Sequence, residues 1–221
     1  ITRREMAAAL AVSQSAPEPV PAALVQKHDA QVAQWLERQI TDPRHAGFGC
    51  FPDEYGLHHV STASGLLHGF LAAYACPGSR FHKDALMLQR ARAAAEFLRK
   101  HQHEDGTIDL LITNFHSTPD LGFVMHNVTA AVELARLSGA PGVEAGLELF
   151  IKRGKEALLT GGVHTPNHRW VVCEALAGMH HLNPDDRCLR RIGQWLAEGI
   201  DIDEDGQYAE RSTGVYNPVT N

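Results

Sequence analysis

Two polar clusters in the second half of the chain carry side chains that can move protons. The first is Asn167-His168-Arg169, which stands where the sequence predicts the start of a helix. The second is the segment 205–216, which combines a turn, carboxylates, a guanidinium and two phenols. Together the clusters supply an amide, an imidazole and a phenol, a set suited to removing a proton from an acidified carbon.

The expected helix start gives Asn167 and His168 a defined environment. The first turn of a helix has unpaired N–H groups and lies at the positive end of the helix dipole. This field disfavours imidazolium, so we expect His168 to be neutral and able to accept a proton. The same field favours an approaching carboxylate, to which the Asn167 amide can donate. The alternative is that both residues only decorate a helix start.

Hydrophobic periodicity divides the rest of the chain into helices, and strand-like alternation is nearly absent. The connections after the first, third, fifth and seventh helices are long and rich in Gly, Asp and His, so we expect one end of the fold to carry the chemistry. The predicted helical segments are 22–41, 61–76, 83–102, 119–138, 143–160, 166–182 and 185–200. The side chains expected to line one concave end are Asn114, His116, Asn167, His168, Glu210 and Tyr216.

An internal repeat narrows the all-α architecture. The segment TPDLGFV at 118–124 matches TPNHRWV at 165–171, and in both we expect threonine to cap the helix and proline to take its first position. Repeated helical hairpins bury their apolar faces only by stacking as a solenoid or by closing as an α/α toroid. The seventh segment has no partner. We therefore expect residues 21–221 to be an α/α-toroid domain truncated at its C-terminal end.

Composition and the N-terminal segment bound the cellular context. The 221 residues carry a formal net charge of -6, which gives a nucleic-acid backbone no general attraction. No segment has the roughly 18 consecutive apolar residues of a membrane span. Residues 1–20 contain Thr2-Arg3-Arg4 and an alanine-rich run, typical of a twin-arginine export signal. We predict a periplasmic or secreted protein; a frayed N-terminal helix is the alternative.

The cysteines and histidines form no recognisable cofactor motif. The four cysteines have neither zinc nor redox spacing, although export would allow them to pair. Adjacent histidines such as His58-His59 diverge in direction and do not make a metal site on one helix face. We predict no metal and no cofactor.

A spaced motif in the second polar cluster is similar to that of one known family. The motif D-G-x-x-x-E-x-S-x-x-Y runs from Asp205 to Tyr216, downstream of the Asn167-His168 pair. The combination resembles the heparinase II/III-like polysaccharide lyases and the related alginate lyases, which are built on an α/α toroid. The resemblance covers chiefly residues 160–217 and extends loosely to about residue 22. Familiar members also carry a C-terminal β-sandwich, which has no counterpart in this sequence.

The resemblance implies β-elimination on an acidic polysaccharide that contains uronic acid. In that family an Asn-His pair and a downstream tyrosine serve the lyase site, which carries over onto Asn167, His168 and Tyr216. Asn167, with Arg169 or Arg211, would neutralise the substrate carboxylate, while Tyr216 and His168 are the candidate base and acid, with their division left open. The predicted substrate-binding residues are Asn114, His116, Arg169, Tyr208, Glu210 and Arg211.

Two other functions fit the same residues. A glycoside hydrolase on the same toroid would use a pair of carboxylates drawn from Asp109, Asp205 and Glu210. A non-catalytic carbohydrate-binding helical domain is the third possibility. Product chemistry separates the two enzymes, because a lyase leaves a conjugated double bond and a hydrolase adds water.

Overall fold

The computed structural model describes residues 20–163, 166–199 and 204. Helices account for most of this part of the chain, so the all-α prediction is confirmed, and each predicted helical segment coincides with a helix. The helices are α1 (Ala22–Arg38), α2 (Val60–Ala75), α3 (Ala85–Lys100), α4 (Thr118–Ser138), α5 (Val143–Thr160), α6 (Pro166–Leu182) and α7 (Asp186–Ala197). Two short strands that the sequence reading missed, β1 (Ile108–Leu110) and β2 (Asn114–Ser117), form an antiparallel hairpin between α3 and α4.

Three helices form an inner row and run parallel to one another. Along α4 and α6, the pairs Phe123–His168, His126–Glu174 and Glu133–His181 are in contact in ascending order. On its other side α4 packs against α2, where Asn127 donates to the Ser64 hydroxyl at 3.1 Å. The N-terminal ends of α2, α4 and α6 therefore lie at the same end of the structure.

The remaining helices form an outer row that runs the other way. Consecutive contacts join α3 to α5, where Arg92 donates to the carbonyl of Pro141, and α5 to α7, where Lys155 pairs with Asp185 at 2.8 Å. Helix α1 packs on α2 through Trp35, whose ring meets Phe70 edge-on with the ring centroids 6.3 Å apart. The result is a two-row array of helical hairpins; its closure into a toroid stays a prediction.

The sequence repeat corresponds to equivalent helix starts, with one correction. Helix α4 begins at Thr118 with Pro119 in its first turn, and α6 begins at Pro166. The cap of α4 is Ser117 rather than Thr118, because the Ser117 hydroxyl accepts the N–H of Asp120. Thr165 lies outside the described residues.

A second repeat, in the loops, links each hairpin to the next. The side-chain amide of Gln39 donates to the carbonyls of Gly49 and Arg90, at 2.9 and 3.1 Å. The amide of Gln102 donates in the same way to Gly106 and Phe150, each at 3.0 Å. We call these two arrangements the glutamine staples. In each, a loop is fixed to the following outer helix.

The glycine of each staple permits a close approach that no other residue allows. Gly49 and Gly106 have φ of 88° and 85°, which L side chains rarely adopt. An added Cβ would come within 1.9 Å of the Ala93 carbonyl oxygen at Gly49, and within 2.2 Å of the Arg153 carbonyl oxygen at Gly106. The loop thus lies directly against the outer helix.

Replacing Gly106 with alanine is expected to destabilise the protein by about 2 to 3 kcal/mol, because backbone strain and a clash with the Arg153 carbonyl add together. Gly56 is a matched control, since its φ is 82° and nothing lies within 4 Å of an added Cβ. Its alanine variant should lose only about 1 kcal/mol, from strain alone. Urea unfolding measures both; equal losses in the two variants would contradict the packing argument.

The core fills the space between the two rows. Its largest fully buried side chains include Phe70, Phe97 and Phe150.

All four cysteines are free thiols, so none of the disulfides that export would allow is formed. Burial raises the pKa of Cys50 to about 11. Among the described helices, none is both long and apolar enough to cross a membrane.

Candidate active site

The start of α6 brings the Asn167-His168 pair beside α4. Because α6 begins at Pro166, both residues fall in its first turn, as the sequence predicts. Each is half-buried. The His168 ring meets the exposed ring of Phe123 edge-on, with centroids 6.2 Å apart and an interplanar angle of 86°. Phe123 is therefore one residue through which α4 contacts the candidate proton-transfer pair.

Arg169 is held by protein groups at the end of α7. Its guanidinium donates to the carbonyl of Gly199 at 2.6 Å and to a Glu198 carboxylate oxygen at 3.1 Å. Only 12% of the side chain is exposed. Arg169 therefore fastens the C-terminal end of α7 to the start of α6, and the sugar-binding role proposed from the sequence stays a prediction.

The hairpin residues Asn114 and His116 stand near the start of α4. The Asn114 amide donates to Asp120 at 3.3 Å, and the Ser117 hydroxyl donates to the same carboxylate oxygen. His116 has a φ of 52°, an unusual value for a residue with a side chain. Its ring lies 2.9 Å from a carboxylate oxygen of Asp105.

Two histidines stack at the base of the hairpin, each with its own carboxylate. The rings of His103 and His116 are 3.8 Å apart and nearly parallel. One oxygen of Asp109 lies 2.7 Å from the His103 ring nitrogen and accepts a hydrogen bond from the His116 backbone N–H at 2.9 Å. Burial works to raise the pKa of Asp109, but these hydrogen bonds outweigh it and the pKa is lowered. The carboxylates thus fix the hairpin to the end of α3.

Acid is expected to loosen this hairpin. Hydrogen bonds from Thr107, and then His116, lower the pKa of Asp105 from 3.8 to about 2. A lowered folded-state pKa means that the stabilisation is complete above pH 3.8 and is lost as the pH falls through about 2. The backbone N–H of Thr107 donates to Asp105 at 2.9 Å, so its hydrogen-exchange protection should fall over that window, relative to core amides such as that of Val128.

Asp105→Asn is the control for this titration, because it removes the charge and leaves the acceptor. In this variant, the protection of the Thr107 amide should vary less between pH 4 and pH 2 than it does in the parent, a window taken from the lowered pKa of Asp105. Unchanged protection of the parent's Thr107 amide down to pH 2 would show that the Asp105 carboxylate does not hold the base of the hairpin.

A histidine–carboxylate pair that the sequence reading missed lies at the start of α2. The His59 ring nitrogen is 2.8 Å from Asp53, whose other oxygen accepts the backbone N–H groups of Tyr55 and Leu57. The hydrogen bond from His59, and then that from Leu57, lowers the pKa of Asp53. The sequence feature that could have indicated this pair is the separation of six residues between Asp53 and His59. The same separation recurs, with the histidine first, at His103 and Asp109.

A small cavity lies between the N-terminal ends of α2 and α4 and the strand β1. Its volume is about 190 Å³, and it is lined by His59, Asp109, Asp120 and Phe123 among others. Phe123 belongs both to this cavity and to the contact with His168. The cavity is therefore adjacent to the candidate proton-transfer pair.

A further histidine–carboxylate pair lies on the exposed surface between α4 and α6. His126 and Glu174 are both exposed and are joined at 2.5 Å, so His126 faces away from the core. Burial, and then the nearby His126, lowers the pKa of His68 on α2. These polar groups continue the surface that begins at Phe123 and His168, farther along α4 and α6.

A larger groove lies at the opposite end of the inner helices. It has a volume of about 990 Å³ and is bordered by the turn 139–142, α5 and the end of α6. Its arginines are already paired, Arg136 with Glu144 and Arg187 with Glu156. The lining also contains Lys152 and Glu148, so the groove carries charges of both signs.

The remaining predicted site residues, Tyr208, Glu210, Arg211 and Tyr216, lie outside the described residues, and their roles stay predictions. Within the described ranges, no group of three His, Cys, Asp or Glu side chains could hold a metal ion.

Comparison with known proteins gives no match: no family model, curated protein or solved structure is significantly similar to this chain.

Proposed function

We propose that this protein is a polysaccharide lyase that cleaves a uronic-acid-containing glycan by β-elimination. The observation that carries the proposal is the contact between His168 and Phe123. It brings the helix-start Asn167-His168 pair next to a polar cavity, at the end where the inner helices begin. Sugar-binding enzymes combine such an aromatic wall with a few convergent polar groups.

The proposed reaction needs charge neutralisation and two proton transfers. The Asn167 amide and the N–H groups of the first turn of α6 would bind the uronate carboxylate, so that the negative charge that develops after loss of the C5 proton is stabilised. Either Tyr216 or His168 takes that proton, and the other protonates the glycosidic oxygen as the C4–O bond breaks. The electrons of the C5–H bond become the C4–C5 double bond.

Glycoside hydrolysis is the second candidate, favoured by the carboxylates of Asp109 and Asp120 in one cavity. Each has one oxygen engaged by neighbouring groups: Asp109 accepts from His103 and His116, and Asp120 accepts from Asn114 and Ser117. These bonds fix both carboxylates. A general acid needs a proton, and the hydrogen bonds that lower the pKa of Asp109 disfavour a proton on that carboxylate.

One assay separates the candidates. The protein is incubated with a panel of uronate polymers, and ultraviolet absorbance of the unsaturated product is followed beside the release of reducing ends. A lyase raises both signals together. Reducing ends without absorbance would overturn the lyase in favour of the hydrolase, and binding without either signal would identify a carbohydrate-binding domain.

A further inference from the structure

Helices α4 and α6 approach each other closely beside the candidate proton-transfer pair. A Cβ added at Gly122 of α4 would lie 2.8 Å from Cγ1 of Val171 on α6. About two turns farther along both helices, a Cβ added at Gly178 of α6 would lie 2.9 Å from the hydroxyl oxygen of Thr129. One glycine on each helix therefore permits a separation that a larger side chain would increase.

This close approach sets the distance between Phe123 and His168. Phe123 directly follows Gly122, and His168 lies about one turn before Val171. The two rings meet edge-on, with centroids 6.2 Å apart and an interplanar angle of 86°. Edge-to-face contact at this distance is a favourable arrangement of aromatic rings. Because the glycine fixes the separation of the helices, it also fixes the contact between the rings.

The start of α4 gives Phe123 a rigid support. The Ser117 hydroxyl accepts the N–H of Asp120, and Pro119 is buried in the first turn. A side chain on a capped helix is held more precisely than one on a loop. The Phe123 ring is 45% exposed, so it contacts His168 while part of its own surface stays open to solvent.

We propose that Phe123 is a positioning residue for His168, whose imidazole it keeps in one orientation by restricting rotation of the side chain. The inference rests on the proposed lyase function for the proton that His168 transfers. Orientation matters to such a transfer because a misplacement of about 1 Å can lower a rate by about 10²-fold. Phe123 acts through the imidazole and needs no contact with the reacting atoms.

The test measures the rotamer of His168 and the rate separately. Three-bond couplings between its Hα and Hβ protons are unequal when the side chain holds one rotamer and converge when it rotates. Phe123→Ala should make these couplings converge and lower kcat about tenfold, with KM nearly unchanged. Phe123→Tyr keeps the ring and should keep both the couplings and kcat. Phe115→Ala removes a ring on β2 that is 67% exposed, and it should match the parent.

Gly122→Ala tests the same contact from the backbone, even if Phe123→Ala fails to fold. The added methyl group meets Val171, which is stiff at χ1, so α4 and α6 should move apart and kcat should fall as the His168 couplings converge. Adding Val171→Ala removes Cγ1 and should restore both quantities. Gly146→Ala on α5 is the matched control, because nothing lies within 4 Å of its added Cβ.

Three results would overturn the positioning role of Phe123. The His168 couplings could stay unequal in both Phe123→Ala and Gly122→Ala, or kcat could be unchanged where the couplings converge. A rise in KM alone in Phe123→Ala would instead make the ring a surface on which the sugar stacks. Failure of the lyase proposal is distinguishable, because no polymer then yields unsaturated product while the couplings still converge in the variants.

Discussion

Replacement of Tyr216 with phenylalanine is expected to lower kcat by about 10²-fold or more, the usual scale for a lost general acid or base. The change removes one hydroxyl and keeps the ring, so folding should alter little. If Tyr216 transfers a proton to or from the glycan, loss of the hydroxyl removes that transfer while substrate binding persists. The measurement is the initial rate of ultraviolet absorbance on the polymer that the protein cleaves fastest.

Tyr55 supplies the matched control. It is 76% exposed and lies in the loop before α2, at the end where the inner helices begin. Tyr55→Phe should keep the parental rate. A Tyr216→Phe variant as active as the parent would remove Tyr216 from the mechanism, whereas equal losses in both variants would point to a general effect on the fold.

Replacement of Asn167 with alanine is expected to lower kcat by about 10² to 10³-fold, as removal of a donor to a developing negative charge does in other enzymes. The amide lies in the first turn of α6, at the positive end of the helix dipole. Its donation matters more in the enolate-like intermediate than in the substrate, so the loss should appear in kcat more than in KM.

Asn183 is the control for this variant, because it is an exposed asparagine just beyond the other end of α6. Asn183→Ala should match the parent in both kcat and KM. A purely KM effect of Asn167→Ala would mean that the amide binds the carboxylate equally in substrate and intermediate, and would contradict its proposed role in stabilising charge.

The helices were predictable because each buries a continuous apolar stripe at the helical period, whatever its partner is. The hairpin was not, since strands of three and four residues are too short to show an alternation. The predicted N-cap of α4 was wrong by one position. Ser117 and Thr118 can both cap a helix, and only the backbone geometry determines which of them does.

The candidate site was predictable where it depends on local structure. Asn167 and His168 lie in a first turn because proline and helical periodicity locate that turn. Other contacts depend on how loops and helix ends meet in space. Examples are the pairing of His59 with Asp53 and the hydrogen bond from Arg169 to Glu198. Nothing in a single sequence specifies which of several acidic residues an arginine will reach.

The glutamine staples also bear on the order in which the chain acquires structure. The loop that precedes α4 is completed only when Gln102 reaches the Phe150 carbonyl, and Phe150 belongs to α5, which is synthesised later. The hydrogen bond from Gln39 to the Arg90 carbonyl likewise forms only after α3 has been synthesised. During synthesis, each hairpin therefore gains its final loop contacts one helix late, so stability should propagate between neighbouring hairpins rather than arise within each one.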